Sequence, residues 1–107
     1  MRNSEMKECC SQYLNEQFGG DAAIVGEIYA EYASSTREKI TEATAALAAE
    51  EWTPLDRVAH TLKGNALAAG DQEMADTAIA LRNAAKLASE DEAASLISRI
   101  AALAEEL

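Results

Sequence analysis

The chain has a single histidine, His60, followed by a lysine at the third position after it and a glycine at the fourth. On an α-helix, residues three and four apart share a face, so Lys63 and Gly64 would lie beside His60. Neutral imidazole is a nucleophile near pH 7, because its unperturbed pKa is about 6.5, and it can attack a phosphoryl group. A lysine would stabilise the phosphoryl oxygens, and a glycine would leave room for a bulky donor. These residue types at this spacing therefore suit the formation of phosphohistidine.

The segment around His60 differs in charge from the rest of the chain. Residues 57–70, here called the basic segment, contain Arg57 and Lys63 but no acidic residue, although the chain has 19 of them and a net charge of −10. On a helical wheel at about 100° per residue, Gly64 and Leu67 fall within about 40° of His60, and Arg57 and Lys63 within about 60°. The opposite face is apolar and comprises Leu55, Val58, Leu62, Ala66 and Ala69. We therefore expect His60 to be exposed, with Leu67 as an apolar residue suited to docking.

Other interpretations of His60 remain open from spacing alone. A surface histidine beside a lysine is common and usually has no function. A metal site is disfavoured, because no second ligand stands one helical turn away or nearby. The glycines at 64 and 70 do not form a phosphate-binding loop, because no strand precedes them and the Gly-Lys-Ser/Thr ending is missing.

Apolar residues at helical spacing predict five helices and no strand. We expect a first helix from Ser4 to Gln17 and a second, capped by Asp21, that ends near Glu50. The third begins at Pro54 with Thr53 as its cap, carries His60 and ends at Gly70. The fourth carries an apolar stripe from Met74 to Ala88, and the fifth follows a capping box that begins at Ser89. The predicted fold is all-α: one domain over residues 1–107, an antiparallel four-helix bundle with an additional short N-terminal helix.

Composition excludes several functional classes. The net charge of −10 argues against nucleic acids and anionic membrane surfaces as partners. The N-terminus is too polar for a signal peptide, and no apolar run approaches the roughly 20 residues of a transmembrane helix. We expect a cytoplasmic protein that binds other proteins.

The basic segment resembles the histidine-containing phosphotransfer (HPt) domains of two-component phosphorelays. The resemblance is carried by Ala59-His60-Thr61-Leu62-Lys63-Gly64 and by the glycine at 70. It extends to Phe18-Gly19-Gly20-Asp21, which resembles the family's entry to its second helix, and to the aromatic Tyr32, and it covers essentially the whole chain.

The resemblance implies a phosphocarrier rather than an enzyme, since no ATP-binding or kinase domain is present. His60 would accept a phosphoryl group from an aspartate of a receiver domain, such as that of a hybrid histidine kinase, and pass it to the receiver of a response regulator. Lys63 would stabilise the phosphoryl group. The chain would need no cofactor, because Mg²⁺ is bound by the receiver. The chain is expected to be a monomer. Receiver docking is expected on Arg57, Thr61, Gly64 and Leu67.

Two positions depart from the family pattern, and one further residue is carried over from it. Leu67 replaces a small residue and Asp71 replaces an apolar one, although Asp71 can cap the fourth helix. Arg82 stands where many members have a glutamine that reaches the histidine. It would contact the phosphoryl group, or form only a surface pair, for example with Asp76.

Two other functions compete with the carrier. The first is a helical bundle that docks receivers or acts as a scaffold without phosphotransfer, against which His60, Lys63 and Gly64 argue together. The second is a piece of a larger hybrid kinase, with the same chemistry, although Met1 favours a free-standing protein.

Overall fold

Five helices make up residues 6–107, the part of the chain that this computed structural model describes. They are α1 (Glu8–Gln17), α2 (Ala22–Ala48), α3 (Trp52–Ala69), α4 (Gln72–Lys86) and α5 (Glu90–Ala104). Helices α2 to α5 form the antiparallel bundle, in which each helix packs on two neighbours, α3 lying between α2 and α4. The short α1 packs against α2 and α3. The predicted all-α fold is therefore confirmed.

Helix α2 sets the length of the molecule. At 1.5 Å per residue its 27 residues span about 40 Å, close to the longest dimension of 42 Å. Its N-cap is Asp21, as predicted, whose side chain accepts hydrogen bonds from the backbone N–H groups of Ala23 and Ile24. The helix ends two residues before the predicted Glu50, which adopts a left-handed φ of 54°.

The C-terminus of α3 follows the prediction. Gly70 adopts a φ of 77°, and the N–H of Asp71 donates to the carbonyl of Ala66 at 2.8 Å. A side chain at Gly70 would also overlap Tyr13 of α1, so no other residue fits there. This glycine therefore ends α3 and lets α1 pack closely against the turn.

Two predicted helix starts, those of α3 and α1, and one predicted cap, that of α5, need correction. Helix α3 begins at Trp52 rather than Pro54, and Glu51 rather than Thr53 occupies the N-cap position, without a capping hydrogen bond from its side chain. A proline still fits in that first turn, because its missing N–H would have no partner within the helix. Ser89 does precede α5, but its side chain makes no capping hydrogen bond.

The third correction concerns α1. It begins at Glu8, because Lys7 has an extended backbone whose N–H donates to the hydroxyl of Tyr29 at 3.1 Å. The predicted start at Ser4 lies outside the described residues.

Candidate functional site

His60 is exposed on α3, as the helical wheel predicted. The neighbouring Ala59 is fully buried, and so are Leu55, Leu62, Ala66 and Ala69 on the core side. Val58 is only partly buried but packs on the core. The bundle thus holds α3 by its apolar face and presents the imidazole to solvent.

The predicted docking residues share the exposed side of α3. Arg57, Thr61 and Gly64 are exposed, and Leu67 keeps 44% of its surface accessible. The Thr61 hydroxyl donates to the carbonyl of Arg57 at 3.2 Å. Leu67 is therefore an apolar side chain of the kind that partner proteins bury.

Gly64 is not required by the packing of the bundle. A Cβ atom built on it meets nothing within 4 Å. Glycine within a helix costs about 0.5–1 kcal/mol relative to alanine, and here no internal contact explains that cost. The open space beside His60 is the feature that the glycine provides.

Arg82 reaches His60 from α4. Its Nη1 lies 3.1 Å from Nδ1 of His60, and its Nε donates to Oδ1 of Asp56 at 2.9 Å. Asp76, the surface partner considered from the sequence, accepts a hydrogen bond from Gln72 instead. The arginine therefore lies beside the imidazole, bridging α3 and α4.

Asp56 belongs to this site, although the sequence analysis missed it. The hydrogen bond from Arg82 is the main reason that its pKa lies below the usual value of 3.8. Its position four residues before His60 was the available signal, because residues at that spacing share a helix face. An acidic residue just outside the basic segment thus balances one of the positive charges around the imidazole.

Lys63 is half-buried on α3 and forms no salt bridge within residues 6–107. The structure thus brings Arg82 and Asp56 to His60 and leaves the ammonium of Lys63 available. No cluster of three or more potential metal ligands occurs in the described part of the chain.

A groove runs between α2 and α3 at the level of Asn65. Its volume is about 170 Å³, and the Nδ2 of Asn65 donates to the Ser35 hydroxyl at 2.9 Å within it. Ile28, Tyr32 and Ala68 contribute its apolar lining. The groove therefore combines an apolar floor with polar groups on the two helices that border it.

The model of the Hpt domain family matches residues 27–107. The match contains α3, α4, α5 and most of α2, and with them every residue of the site described above. The chain therefore belongs to the Hpt domain family. The Phe18–Asp21 segment lies outside the matched residues, so its resemblance to the family stays a prediction. Neither the curated proteins nor the solved structures gave a match.

Hpt domains carry phosphoryl groups in two-component phosphorelays and interact with the receiver domains of response regulators. They are phosphocarriers without kinase activity. Within residues 6–107, none of the helices has the length and apolar character needed to cross a membrane.

Proposed function

We propose that His60 is the phosphoacceptor of a multistep phosphorelay. It takes the group from the aspartyl phosphate of one receiver domain, for example that of a hybrid histidine kinase, and gives it to the receiver of a response regulator in the cytoplasm. The observation that carries the proposal is an exposed histidine beside an open glycine in the family-matched part of the chain. The chain acts as a monomer in this scheme.

The transfer needs little machinery on this chain. A ring nitrogen of His60 attacks phosphorus, the bond from phosphorus to the receiver's aspartate oxygen breaks, and the carboxylate leaves. Lys63 and Arg82 place positive charge where the phosphoryl oxygens gather, which stabilises the transition state. The receiver supplies Mg²⁺ for the same purpose.

Docking on the exposed side of α3 gives the receiver access to His60. Gly64 lets the partner's backbone approach, and Leu67 offers apolar surface. Arg57 attracts acidic groups of the receiver, and the exposed Thr61 lies one helical turn after it on α3. The groove beside Asn65 extends this surface towards α2.

A scaffold without phosphotransfer would use the same surface but would not need the histidine. The two functions are separated by incubating the chain with a labelled, phosphorylated receiver domain. The carrier predicts a label on this chain that is labile in acid and stable in base, and its loss in His60→Gln. Binding of the receiver with no label on the wild-type chain, for every receiver tested, would favour the scaffold.

A further inference from the structure

The contact between Arg82 and His60 determines which ring nitrogen of the neutral imidazole carries the proton. A guanidinium group has only N–H donors, so its Nη1, at 3.1 Å, can only donate to Nδ1. Nδ1 must then accept through its lone pair, and the single proton of the neutral ring lies on Nε2. In this arrangement neither ring nitrogen has a free lone pair with which to attack phosphorus.

We propose that Arg82, held in place by Asp56, locks resting His60 in the tautomer protonated on Nε2, and that phosphoryl transfer requires Arg82 to leave Nδ1. The part on transfer rests on the proposed function, whereas the tautomer does not. Asp56 is a positioning residue in this scheme, because it acts on His60 only through Arg82.

The geometry explains why the arginine stays in place. Nε and Nη1 belong to one rigid plane, so the 2.9 Å hydrogen bond to Asp56 also fixes the direction of the group that meets His60. Both partners of the ion pair are partly shielded, with 26% of the Arg82 side chain and 29% of the Asp56 side chain accessible. A glutamine at this position would behave differently, since its amide oxygen can accept a proton from Nδ1 as well.

The lock has a consequence for each step of the transfer. For Nε2 to attack, solvent must take the proton from Nε2 and deliver one to Nδ1. The new Nδ1–H group then faces the N–H of Arg82, and two hydrogen-bond donors repel each other. Arg82 therefore withdraws before the Nε2–phosphorus bond forms and the bond to the receiver's aspartate oxygen breaks. Attack through Nδ1 also needs the arginine to move, because it occupies that lone pair. Once released, the guanidinium is free to pair with the phosphoryl oxygens.

Nitrogen NMR of the full chain with labelled histidine tests the tautomer without any receiver. His60 is the sole histidine, so its two ring signals are unambiguous. In its neutral form, the imidazole of the wild type should be mainly the Nε2–H tautomer. Arg82→Gln should lower the ratio of Nε2–H to Nδ1–H roughly three- to tenfold, because it removes a charge-assisted donor. Arg99→Gln breaks an ion pair of similar length, with Glu73, away from the histidine and should leave the ratio unchanged.

Asp56→Ala tests the link to transfer, because it loosens Arg82 without removing it. It should lower the same ratio and should accelerate acceptance of the phosphoryl group about threefold. An unchanged ratio in Arg82→Gln, or a mainly Nδ1–H wild type, overturns the lock. A lowered ratio in Asp56→Ala with unchanged or slower acceptance overturns the requirement that Arg82 leave. If the tautomer responds as expected but no variant and no wild-type chain ever accepts phosphate, the lock stands and the proposed function fails.

Discussion

Asp71 is a fully buried carboxylate at the junction of α1, α2 and α4, and its removal should destabilise the bundle strongly. Its oxygens accept hydrogen bonds from the Tyr32 hydroxyl at 2.8 Å, the Lys7 ammonium at 3.0 Å and the N–H of Met74 at 3.3 Å. Asp71→Ala would leave a buried hydroxyl and a mostly buried ammonium without their acceptor.

The size of the effect follows from these contacts. A buried polar group that loses its partner costs about 1–3 kcal/mol, and breaking a buried ion pair costs about 3–5 kcal/mol. The loss at Lys7 is smaller than this, because 13% of its side chain is accessible to water and its Nζ lies 3.9 Å from Oε1 of Glu106. We therefore expect Asp71→Ala to lower the free energy of unfolding by about 3 kcal/mol, and Tm by roughly 15 °C.

Chemical and thermal denaturation followed by circular dichroism measure this loss. Asp76→Ala is the matched control, because Asp76 is an exposed aspartate of the same helix, and it should cost less than about 0.5 kcal/mol. The combination Lys7→Met, Tyr32→Phe and Asp71→Leu should recover most of the stability, since apolar residues replace the whole polar group. A loss below about 0.5 kcal/mol for Asp71→Ala would refute the assigned role.

The same cluster predicts a loss of stability in alkali. Burial opposes the charge of Lys7, but its hydrogen bond and attraction to Asp71 outweigh this, so the pKa of Lys7 lies above 10.5. Burial also raises the pKa of Tyr32 and of Tyr29 above the usual 10.0. In each case the native state holds its proton more tightly than the unfolded state, so stability is complete below about pH 10 and falls as the pH rises further.

Denaturation at several pH values checks that sign. The fall in the free energy of unfolding between pH 9.5 and pH 11 should be smaller for Tyr32→Phe than for the wild type. An equal fall in wild type and Tyr32→Phe would show that Tyr32 does not contribute to it.

Three further predictions concern single positions. Gly64→Gln should raise the free energy of unfolding by about 0.5 kcal/mol through helix propensity, yet weaken receiver binding. Gly26→Gln is the control, because a Cβ atom at Gly26 on α2 also meets nothing within 4 Å; it should raise stability and leave binding intact. Wild-type affinity in Gly64→Gln would exclude the glycine as the access route. Thr36→Val should raise the free energy of unfolding by about 1 kcal/mol, measured by denaturation, because the buried Thr36 hydroxyl has no hydrogen-bond partner within residues 6–107. A lower free energy of unfolding in this variant would mean that the hydroxyl does have a partner. Lys63→Ala should slow phosphotransfer in a labelling assay, Lys39→Ala should not, and equal rates would remove Lys63 from the site.

Local patterns in the sequence were enough to predict the helices and the exposure of His60. The wheel succeeds because α3 is packed by one apolar face, and Gly70 ends the helix through its own backbone preference. The start of α3 was harder to place, because Pro54 is acceptable at several positions of a first turn.

Contacts between distant residues were beyond the sequence. Asp71 was identified as a cap, but its ion pair with Lys7 joins positions 64 residues apart and depends on how α1 packs. The start of α1 was misplaced for the same reason, since the hydroxyl of Tyr29 takes the N–H of Lys7 out of the helix. The choice of Arg82 between the histidine and a surface partner also needed the α3–α4 packing, which brings Asp56 within reach.

The most direct test of the account isolates the phosphorylated chain and mixes it with an unphosphorylated receiver domain. Mass spectrometry before mixing should locate the phosphoryl group on His60. After mixing, the label should leave this chain and appear on the aspartate of the receiver, as expected of an intermediate in a relay. A phosphoryl group on another residue, or label that is released only as inorganic phosphate, would contradict the claim that His60 relays it.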